Sequence, residues 1–425
     1  MGSGAIGPTR TRGAGWALGL LMLAGAVNYL DRVTLSVAAP LIGAELHLRA
    51  GQMGLLLSAF LWAYALAQVP VGALVDRWGA RPLLGAALAL WSAAQAATGF
   101  AGGLTQLVAA RLVLGVGEAP QWPVGAKVVR TWFEPTRLGL ATGVFNSAST
   151  LGPAIAPPIV TALMLAFGWR GAFVATGLIG FAVAAIWVGG YRDRPAPAEA
   201  DAESLAAPPP SWPRLLARPT LWAMALGNFG SGYMTWFYAA WLPTYLESAR
   251  RFTVLQTGWA AAAPYLFGFL GSLAGGWACD RLAAAGLSGL ASRKLPIVVG
   301  LAAGAACTGL AVAAPNGALA LAAVSAALFG ANIATAAIWA LAVVAAPRRW
   351  TASVGAFQNV GGLVGGALAP IVTGLTLEAT HAFAAAFAIA GAAGAAGALV
   401  YWLGVRRPIV SYPASRRYAG EARFR

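Results

Sequence analysis

The chain has 425 residues, of which 59% are hydrophobic and only 10% are charged, and its mean hydropathy is +0.71. Soluble globular proteins carry about 25% charged residues, so this composition excludes that class and predicts an integral membrane protein. The formal net charge is +15, and the distribution of the basic residues along the chain indicates the role of this excess charge.

Apolar segments long enough to span a bilayer, about 20 residues each, recur from one end of the chain to the other, and we count twelve. The first is too long for a cleaved signal peptide and continues through Asp31 and Arg32 into further apolar sequence. Pro120 and Pro123 interrupt the fourth, because proline removes a helical hydrogen bond. The predicted helices cover approximately 15–41, 51–73, 81–101, 105–130, 138–162, a sixth segment that ends near Gly190, 220–247, 256–278, 295–314, 317–345, 351–375 and 382–404.

Lysine and arginine concentrate in the two termini, in the central segment and in every second connection between the predicted helices. This is the positive-inside pattern, so we expect a multi-pass protein of the plasma (inner) membrane with both termini in the cytoplasm. The excess charge is therefore topological, and no nucleic-acid partner is expected. Cys279 and Cys307 fall in or beside apolar segments and indicate neither a disulfide framework nor a metal site.

The two halves of the chain resemble each other. The motif at 72–77 recurs at 276–281, 204 residues later, and the Pro-Ile-Val-Thr sequence at 158–161 recurs at 370–373, 212 residues later. Two six-helix repeats are typical of secondary transporters, whose substrate binds between the repeats near the middle of the membrane. We predict an N-terminal six-helix bundle over 1–190, a cytoplasmic linker over 191–219, a C-terminal six-helix bundle over 220–405 and a basic cytoplasmic tail over 406–425.

The segment Gly72-Ala-Leu-Val-Asp-Arg-Trp-Gly-Ala-Arg81 resembles the loop signature of the major facilitator superfamily, G-x-L-x-D-R-x-G-x-R. The resemblance implies an all-α membrane protein with twelve transmembrane helices in two pseudo-symmetric six-helix bundles. Asp76 can cap or approach the start of a neighbouring helix while Arg77 and Arg81 stay cytoplasmic, which latches the halves in one state. The second copy of the motif lacks the turn glycine. The predicted gating residues are Asp76, Arg77, Arg81, Asp280 and Arg281.

Several other stretches look like the anion:cation symporter family of organic-acid carriers within that superfamily. They are Asn28-Tyr-Leu-Asp-Arg32, Arg111-x6-Glu118-Ala-Pro120, Arg130-x-Trp-Phe133, Phe145-Asn-Ser147 and Trp241-Leu-Pro-Thr-Tyr-Leu246. The resemblance implies a proton symporter of the hexuronate, galactonate or glucarate type. It also implies that the acids of helices 1 and 4 carry protons while the neighbouring arginines serve the substrate carboxylate or the protonated acid.

The positions of the charged residues lead to the same four side chains. Only Asp31 and Glu118 among thirteen acids, and only Arg32 and Arg111 among 28 bases, lie well inside predicted helices. A charge at the middle of a bilayer costs about 2.5–3.5 kcal/mol, so such residues usually pair and usually function. Arg111 and Glu118 are seven residues apart, so they share one face of a helix at a separation of about 10 Å.

We predict that Asp31 and Glu118 are proton sites and that Arg32 anchors the substrate carboxylate through a two-pronged hydrogen bond. Arg111 is either the partner of Glu118 or a second anchor. The competing interpretation is a pair of buried salt bridges that only fixes helices 1 and 4, although such pairs seldom add stability over apolar packing. A polyhydroxylated acid needs further hydrogen-bond donors and acceptors around the charged group that anchors its carboxylate. The predicted contacts are Tyr29, Tyr64, Gln121, Asn146, Ser149, Asn228, Trp236, Gln358 and Asn359.

The predicted function is import of a small organic anion, a sugar acid such as a hexuronate or an aldonate, by proton symport with alternating access. The proton gradient supplies the energy, and no cofactor or metal is expected. The alternatives are an aromatic or other carboxylate as substrate, anion exchange, and a transporter-like sensor that does not transport. An enzyme is not expected, because the sequence offers no buried histidine, metal cluster or nucleophile–base pair. The expected partners are the organic anion, H⁺ and the lipid bilayer, and the expected state is a monomer.

Overall fold

The computed structural model describes residues 9–133, 138–193, 212–346 and 350–409, and for a few residues in those ranges, Asp76 and Asn146 among them, it describes the backbone alone. Every regular element in the described part is a helix. The first half contains α1 (Thr9–Glu45), α2 (Ala50–Trp78), α3 (Ala80–Thr98), α4 (Leu104–Glu118), α5 (Gln121–Trp132) and α6 (Leu138–Gly190). The second half contains α7 (Trp212–Leu216), α8 (Pro219–Thr244), a π-helical turn (Tyr245–Ala249), α9 (Val254–Ala284), α10 (Gly289–Ala313), α11 (Gly317–Ala345), α12 (Thr351–Thr380) and α13 (Phe383–Gly404).

These helices correspond to the twelve predicted segments, with the short α7 in the predicted linker. α4 and α5 together form the fourth segment, and α6 contains the fifth and sixth, which are separated by a kink at Gly168 (φ 67°, ψ 172°). Glycine adopts such a positive φ at little cost. By length and hydropathy alone, seven of the described helices are able to cross a membrane, with α6 counted once. The predicted all-α membrane fold is confirmed.

Polar side chains at the helix starts satisfy backbone N–H groups that have no partner inside the helix. Thr253 and Gln256 form a reciprocal capping box at the start of α9. Ser288 accepts a hydrogen bond from the third residue of α10, and Asn316 does the same at α11. The start of each of these helices is therefore set by local sequence.

The helices before the central segment pack mainly on one another, and so do those after it. α1 and α3 contact α6, and α2 contacts α4; in the second half α8 contacts α12 and α13, while α11 contacts α9 and α10. Among the described residues, the main contacts between the halves are those of α2 with α12, α6 with α9, and α1 with α8. We call distal the end of the bundle that carries the connections 46–49, 99–103, 250–253, 314–316 and 381–382, and proximal the end at which α1 begins and α13 ends.

Glycines allow the halves to approach closely in the distal part of two of these pairs. Gly54 of α2 lies against the Pro370 carbonyl of α12, and Gly258 of α9 lies against Thr161 of α6. The two glycines are 204 residues apart, which is the spacing of the sequence repeat, so the two contacts are pseudo-equivalent. In this state the two halves are therefore joined at the distal end.

Candidate functional site

Glu118 lies at the C-terminal end of α4, where the helix is interrupted. Ala119 and Pro120 keep right-handed helical dihedrals, so the chain continues directly into α5. Gln68 of α2 donates a hydrogen bond from Nε2 to the Ala119 carbonyl at 3.3 Å. Interrupted membrane helices present backbone polar groups inside a bundle, and transporters place their binding sites at such points. The carboxylate of Glu118 is fully buried beside the interruption between α4 and α5.

A salt bridge joins Arg32 of α1 to Glu118, with 2.7 Å between Nε and Oε2. The guanidinium carbon of Arg32 lies 5.3 Å, 4.7 Å and 5.0 Å from the ring centres of Tyr29, Phe60 and Tyr64. Aromatic faces attract a cation at these distances, so the cage helps to hold the guanidinium in a membrane interior. Arg32 Nη2 and Glu118 Oε1 are buried and have no hydrogen-bond partner among the described residues. The pair therefore has both a donor and an acceptor left for a further partner.

Asp31 and Arg111 form a second charged group beside the first. The side chain of Asp31 is fully buried and that of Arg111 is 2% exposed. Arg111 Nη1 lies 3.5 Å from the backbone carbonyl of Asp31, and its guanidinium lies 5.4 Å from the centre of the Phe173 ring. Within the described part of the chain, neither carboxylate oxygen of Asp31 has a hydrogen-bond partner, and the same holds for Nε and Nη2 of Arg111. This group is thus buried and incompletely bonded.

The structure pairs Glu118 with Arg32 and not with Arg111, which was one of the two roles predicted for Arg111. The physical reason is distance along one helix. Seven residues span about 10 Å, so two side chains of α4 at that spacing cannot form a salt bridge as readily as side chains of adjacent helices. The other predicted role of Arg111, a second anchor for the substrate, stays a prediction.

A small cavity of about 30 Å³ lies between the two arginines and the C-terminal half. It is lined by Arg32, Leu35, Ser36, Leu57, Phe60, Arg111, Trp236, Ala239 and Ala240. A water molecule needs a cavity of about 10–15 Å³, so this one holds about two waters and not a six-carbon acid. Both arginines therefore border a small space that is shared with α8.

Three of the predicted substrate contacts lie around Arg32. The rings of Tyr29 and Tyr64 form two sides of the cage described above. Ser149 of α6 lies within hydrogen-bonding reach of the Tyr29 hydroxyl. The structure thus brings α1, α2 and α6 together at the buried arginine, which gives a carboxylate bound there several hydroxyl groups nearby.

Two further predicted contacts come from α5 and α6. Gln121, at the start of α5, is buried and donates from Nε2 to the Leu21 carbonyl at 3.4 Å. Its Oε1 has no hydrogen-bond partner among the residues that the structure describes. The side chain of Asn146 lies outside the described residues. Gln121 therefore faces α1 with one polar atom still unsatisfied.

The predicted contacts from the second half differ among themselves. Trp236 of α8 borders the cavity opposite the two arginines. Asn228 donates from Nδ2 to the Gln358 carbonyl at 3.0 Å, and Gln358 donates from Nε2 to the Ile338 carbonyl at 3.1 Å. These two amides tie α8, α11 and α12 together, because a buried amide needs a partner and finds one in the nearest backbone. Asn359 is half-buried on α12.

The predicted gating residues of the first half lie near the start of α3. Arg81 donates from Nη2 to the Val188 carbonyl at 2.6 Å, which ties α3 to the end of α6. The first backbone N–H groups of α3 donate to the carboxylate of Asp193, at 2.9 Å for the closest. Asp193 thus caps α3. The capping role predicted for Asp76 stays a prediction, because its side chain lies outside the described residues. Arg77 is exposed.

In the second copy of the motif, Asp280 lies 3.9 Å from Arg293 of α10, and Arg281 is exposed. The contacts of Asp280 and Arg81 in the described part of the chain stay within their own halves. A latch at the proximal end is expected to bridge the halves in the opposite state, in which the distal end is open. The gating role of these residues stays a prediction.

Sequence reasoning missed two polar residues of the site. Asn28 of α1 is fully buried near the Glu118 carboxylate, and its amide atoms lack hydrogen-bond partners among the described residues. Gln68 bonds the backbone at the helix interruption. Asn28 is one helical turn from Asp31 and Arg32, so the spacing could have identified it. Nothing in the local sequence of Gln68 distinguishes it from an ordinary polar residue near a helix end.

Comparison with known proteins finds that this chain is similar to transporters of organic acids. The chain is similar to a probable L-galactonate transporter of Escherichia coli (strain K12), with 41% identity over 405 residues that cover 92% of this chain and 89% of that protein. It is also similar to a hexuronate transporter of Bacillus subtilis (strain 168), with 34% identity over 403 residues that cover 93% and 95%. A probable galactarate/D-glucarate transporter, GarP of Escherichia coli (strain K12), is 31% identical over 88% of this chain and 90% of its own length.

The fold has a counterpart among solved structures. A bacterial homolog of the human lysosomal transporter Spinster, in an inward-facing and occupied conformation, superposes with a TM-score of 0.76 at 19% sequence identity, over 92% of this chain and 95% of that one. Residues 21–370 match the family model of the Major Facilitator Superfamily. The family and the relatives named above are transporters and not enzymes. This chain is therefore a multi-pass membrane transporter that belongs to the Major Facilitator Superfamily.

Proposed function

We propose that the protein imports a sugar acid together with protons, by alternating access. One observation carries this proposal. The cation best placed to hold a substrate carboxylate, Arg32, is bonded at 2.7 Å to the buried acid best placed to take up a proton, Glu118. The proton and the substrate therefore act on the same guanidinium.

The coupling follows from the geometry of that bond. While Glu118 is ionised, it occupies the Nε side of Arg32 and neutralises its charge. Protonation removes the charge of Glu118 and weakens the bond, so Arg32 can present Nε and the unpaired Nη2 to a carboxylate as a planar fork. Binding of a proton and binding of the substrate then favour each other, and this mutual effect is reciprocal by linkage. Asp31 and Arg111 supply a second proton site and a second anchor.

The sugar-acid assignment draws on the relatives and on the surroundings of Arg32. The relatives carry names of transporters for L-galactonate, hexuronate and galactarate or D-glucarate, all of them hydroxylated acids. Tyr29 and Tyr64 place hydroxyl groups beside the guanidinium, and Ser149 lies next to Tyr29. Such groups fit the hydroxyls of an aldonate or hexuronate. An aromatic carboxylate is the second candidate, since Trp236 borders the same cavity.

The orientation in the membrane completes the proposal. Basic residues concentrate at the proximal end, so we assign that end, with both termini and the segment 191–219, to the cytoplasm. The joined distal end then faces outward across the inner membrane. The units that rock against each other are the bundles 1–190 and 220–405, in a monomer whose energy source is the proton gradient.

Purified protein in liposomes tests the proposed function. We expect labelled galactonate or glucuronate to accumulate when the proton gradient points inward, and a protonophore to abolish the accumulation. Exchange of substrate without any response to the gradient would identify an anion exchanger instead. Absence of uptake and of exchange for every sugar acid, together with thermal stabilisation by one of them, would identify a sensor.

Replacing Arg32 by Lys tests the anchor. Lysine keeps the charge but cannot form a planar fork. Charge-assisted hydrogen bonds contribute about 1.5–3 kcal/mol each, so we expect substrate binding to weaken about tenfold to a hundredfold. Calorimetric titration of the purified variant measures this change. Arg170→Lys, at the half-exposed pair with Glu45, is the matched control and should bind normally. Unchanged affinity in Arg32→Lys would refute the anchor role.

A further inference from the structure

A carboxylate of the second half clamps the start of a helix in the first half. Glu378 lies in the last turn of α12, and its Oε1 is 3.2 Å from Nη1 of Arg49. Its Oε2 accepts a hydrogen bond from the backbone N–H of Gly51 at 3.0 Å. Gly51 is the second residue of α2, where backbone N–H groups have no partner inside the helix and the helix dipole favours an anion. The side chain of Glu378 therefore joins the two halves at the distal end.

This clamp depends on the close approach of α2 and α12. Gly51 lies so near α12 that an added Cβ would be 3.2 Å from Leu375 and would collide with the Glu378 carboxylate. Three residues further along α2, Gly54 lies against the backbone of Pro370, and Gly374 lies against the Ala50 carbonyl. The Glu378 carboxylate thus reaches the start of α2 only while the backbones of α2 and α12 are in contact. When the distal end opens, both of its bonds must break.

The clamp does not follow the pseudo-symmetry of the chain. The equivalent contact between α6 and α9 has Gly258 against Thr161, as described above. The spacing of 212 residues that relates α12 to α6 places Ala166 where α12 has Glu378. Distal closure therefore uses two similar helix contacts, of which the one between α2 and α12 carries the carboxylate.

We propose that Glu378 is a conformational latch, which stabilises the state with a closed distal end and is released in every transport cycle. The latch requires only that the transporter alternates between two states, so it is independent of which substrate and how many protons are carried. Its strength sets the fraction of molecules whose distal end is closed. Arg49 is the weaker partner, since its side chain is 71% exposed and a solvated ion pair contributes little.

Distances between two spin labels, measured by electron–electron double resonance, test the latch in the absence of substrate. Labels at Phe100→Cys and Ala382→Cys, both exposed at the distal end and in different halves, report the separation of the halves in a Cys279→Ser, Cys307→Ser background. Loss of a helix cap typically costs about 1 kcal/mol, so we expect Glu378→Ala to lower the ratio of closed to open molecules about fivefold. Glu378→Gln should shift the ratio less, because its amide oxygen can still accept from Gly51.

The control is a second carboxylate at the same end. Glu45 pairs with Arg170 at 2.9 Å inside the first half, so Glu45→Ala removes a comparable ion pair without touching the interface. We expect it to leave the distance distribution unchanged. An unchanged distribution in Glu378→Ala, or an equal shift in Glu45→Ala, would overturn the latch. If Glu378→Ala does not fold, Glu378→Gln provides the comparison: a smaller shift toward the open state supports the latch, and an unchanged distribution overturns it.

Discussion

Glu118→Gln is expected to abolish uptake driven by a proton gradient while preserving exchange of substrate across the membrane. The amide has the size of the acid and its oxygen can still accept a hydrogen bond from Arg32, so the site keeps its shape. It cannot gain or lose a proton, so the step in which protonation releases Arg32 is missing. Counterflow of labelled substrate in liposomes at equal pH, compared with uptake under a pH gradient, separates these two activities.

Two further variants serve as the control and as a second test. Glu45→Gln alters an exposed acid at the distal end and should retain uptake driven by the gradient. Asp31→Asn alters the other fully buried acid, and a loss of coupling there as well would show that both sites take part. Full pH-driven accumulation by Glu118→Gln would mean that this carboxylate carries no proton. The buried pair with Arg32 would then serve only to fix α1 against α4.

Gly54→Val is expected to slow transport by disfavouring distal closure. A Cβ at Gly54 would collide with the carbonyl oxygen of Pro370 and would lie 3.2 Å from the Cα of Ile371. Both obstacles are backbone atoms of α12, which cannot rotate away as a side chain can. Overpacking typically costs about 1–3 kcal/mol, so we expect the closed population to fall about fivefold to a hundredfold and the rates of uptake and counterflow to fall with it.

The matched control is a glycine in an open environment. Gly309 of α10 is exposed and has no atom within 4 Å of a built Cβ, so Gly309→Val changes helix propensity alone. Transport rates are measured for both variants at equal protein content, and the spin-label distances give the populations. Normal transport by Gly54→Val would contradict the proposal that α2 and α12 must meet at this point in each cycle.

The sequence predicted the helices and the four buried charges because both signals are strong and local. A charge inside an apolar helix is costly wherever the helix packs, so Asp31, Arg32, Arg111 and Glu118 could be selected without a structure. Their pairing could not be selected, since it depends on how α1 and α4 are placed against each other. The spacing along α4 suggested Arg111 for Glu118, whereas the packing of the helices supplies Arg32.

Contacts between distant segments account for the other differences. Asp193 belongs to a stretch that the sequence assigns to a linker, yet its carboxylate caps α3. Glu378 has the sequence context of an ordinary acid at a helix end, and its role follows only from the position of α2. Asn228 and Gln358 have the composition of substrate contacts, but the nearest backbone carbonyls take their donors. In each case the partner is more than 100 residues away or lies on another helix.

The balance of charge inside the bundle has an electrical consequence. When all four groups are ionised, the charges of Asp31 and Glu118 offset those of Arg32 and Arg111, and their sum is zero. A bound monocarboxylate adds one negative charge, which a single proton on one of the acids cancels. A loaded site that stays neutral avoids the cost of an uncompensated charge in a medium of low dielectric constant. Under the proposed mechanism, import of an aldonate with one proton would be electroneutral and indifferent to the membrane potential, while an aldarate with two carboxylates would require both acids to be protonated.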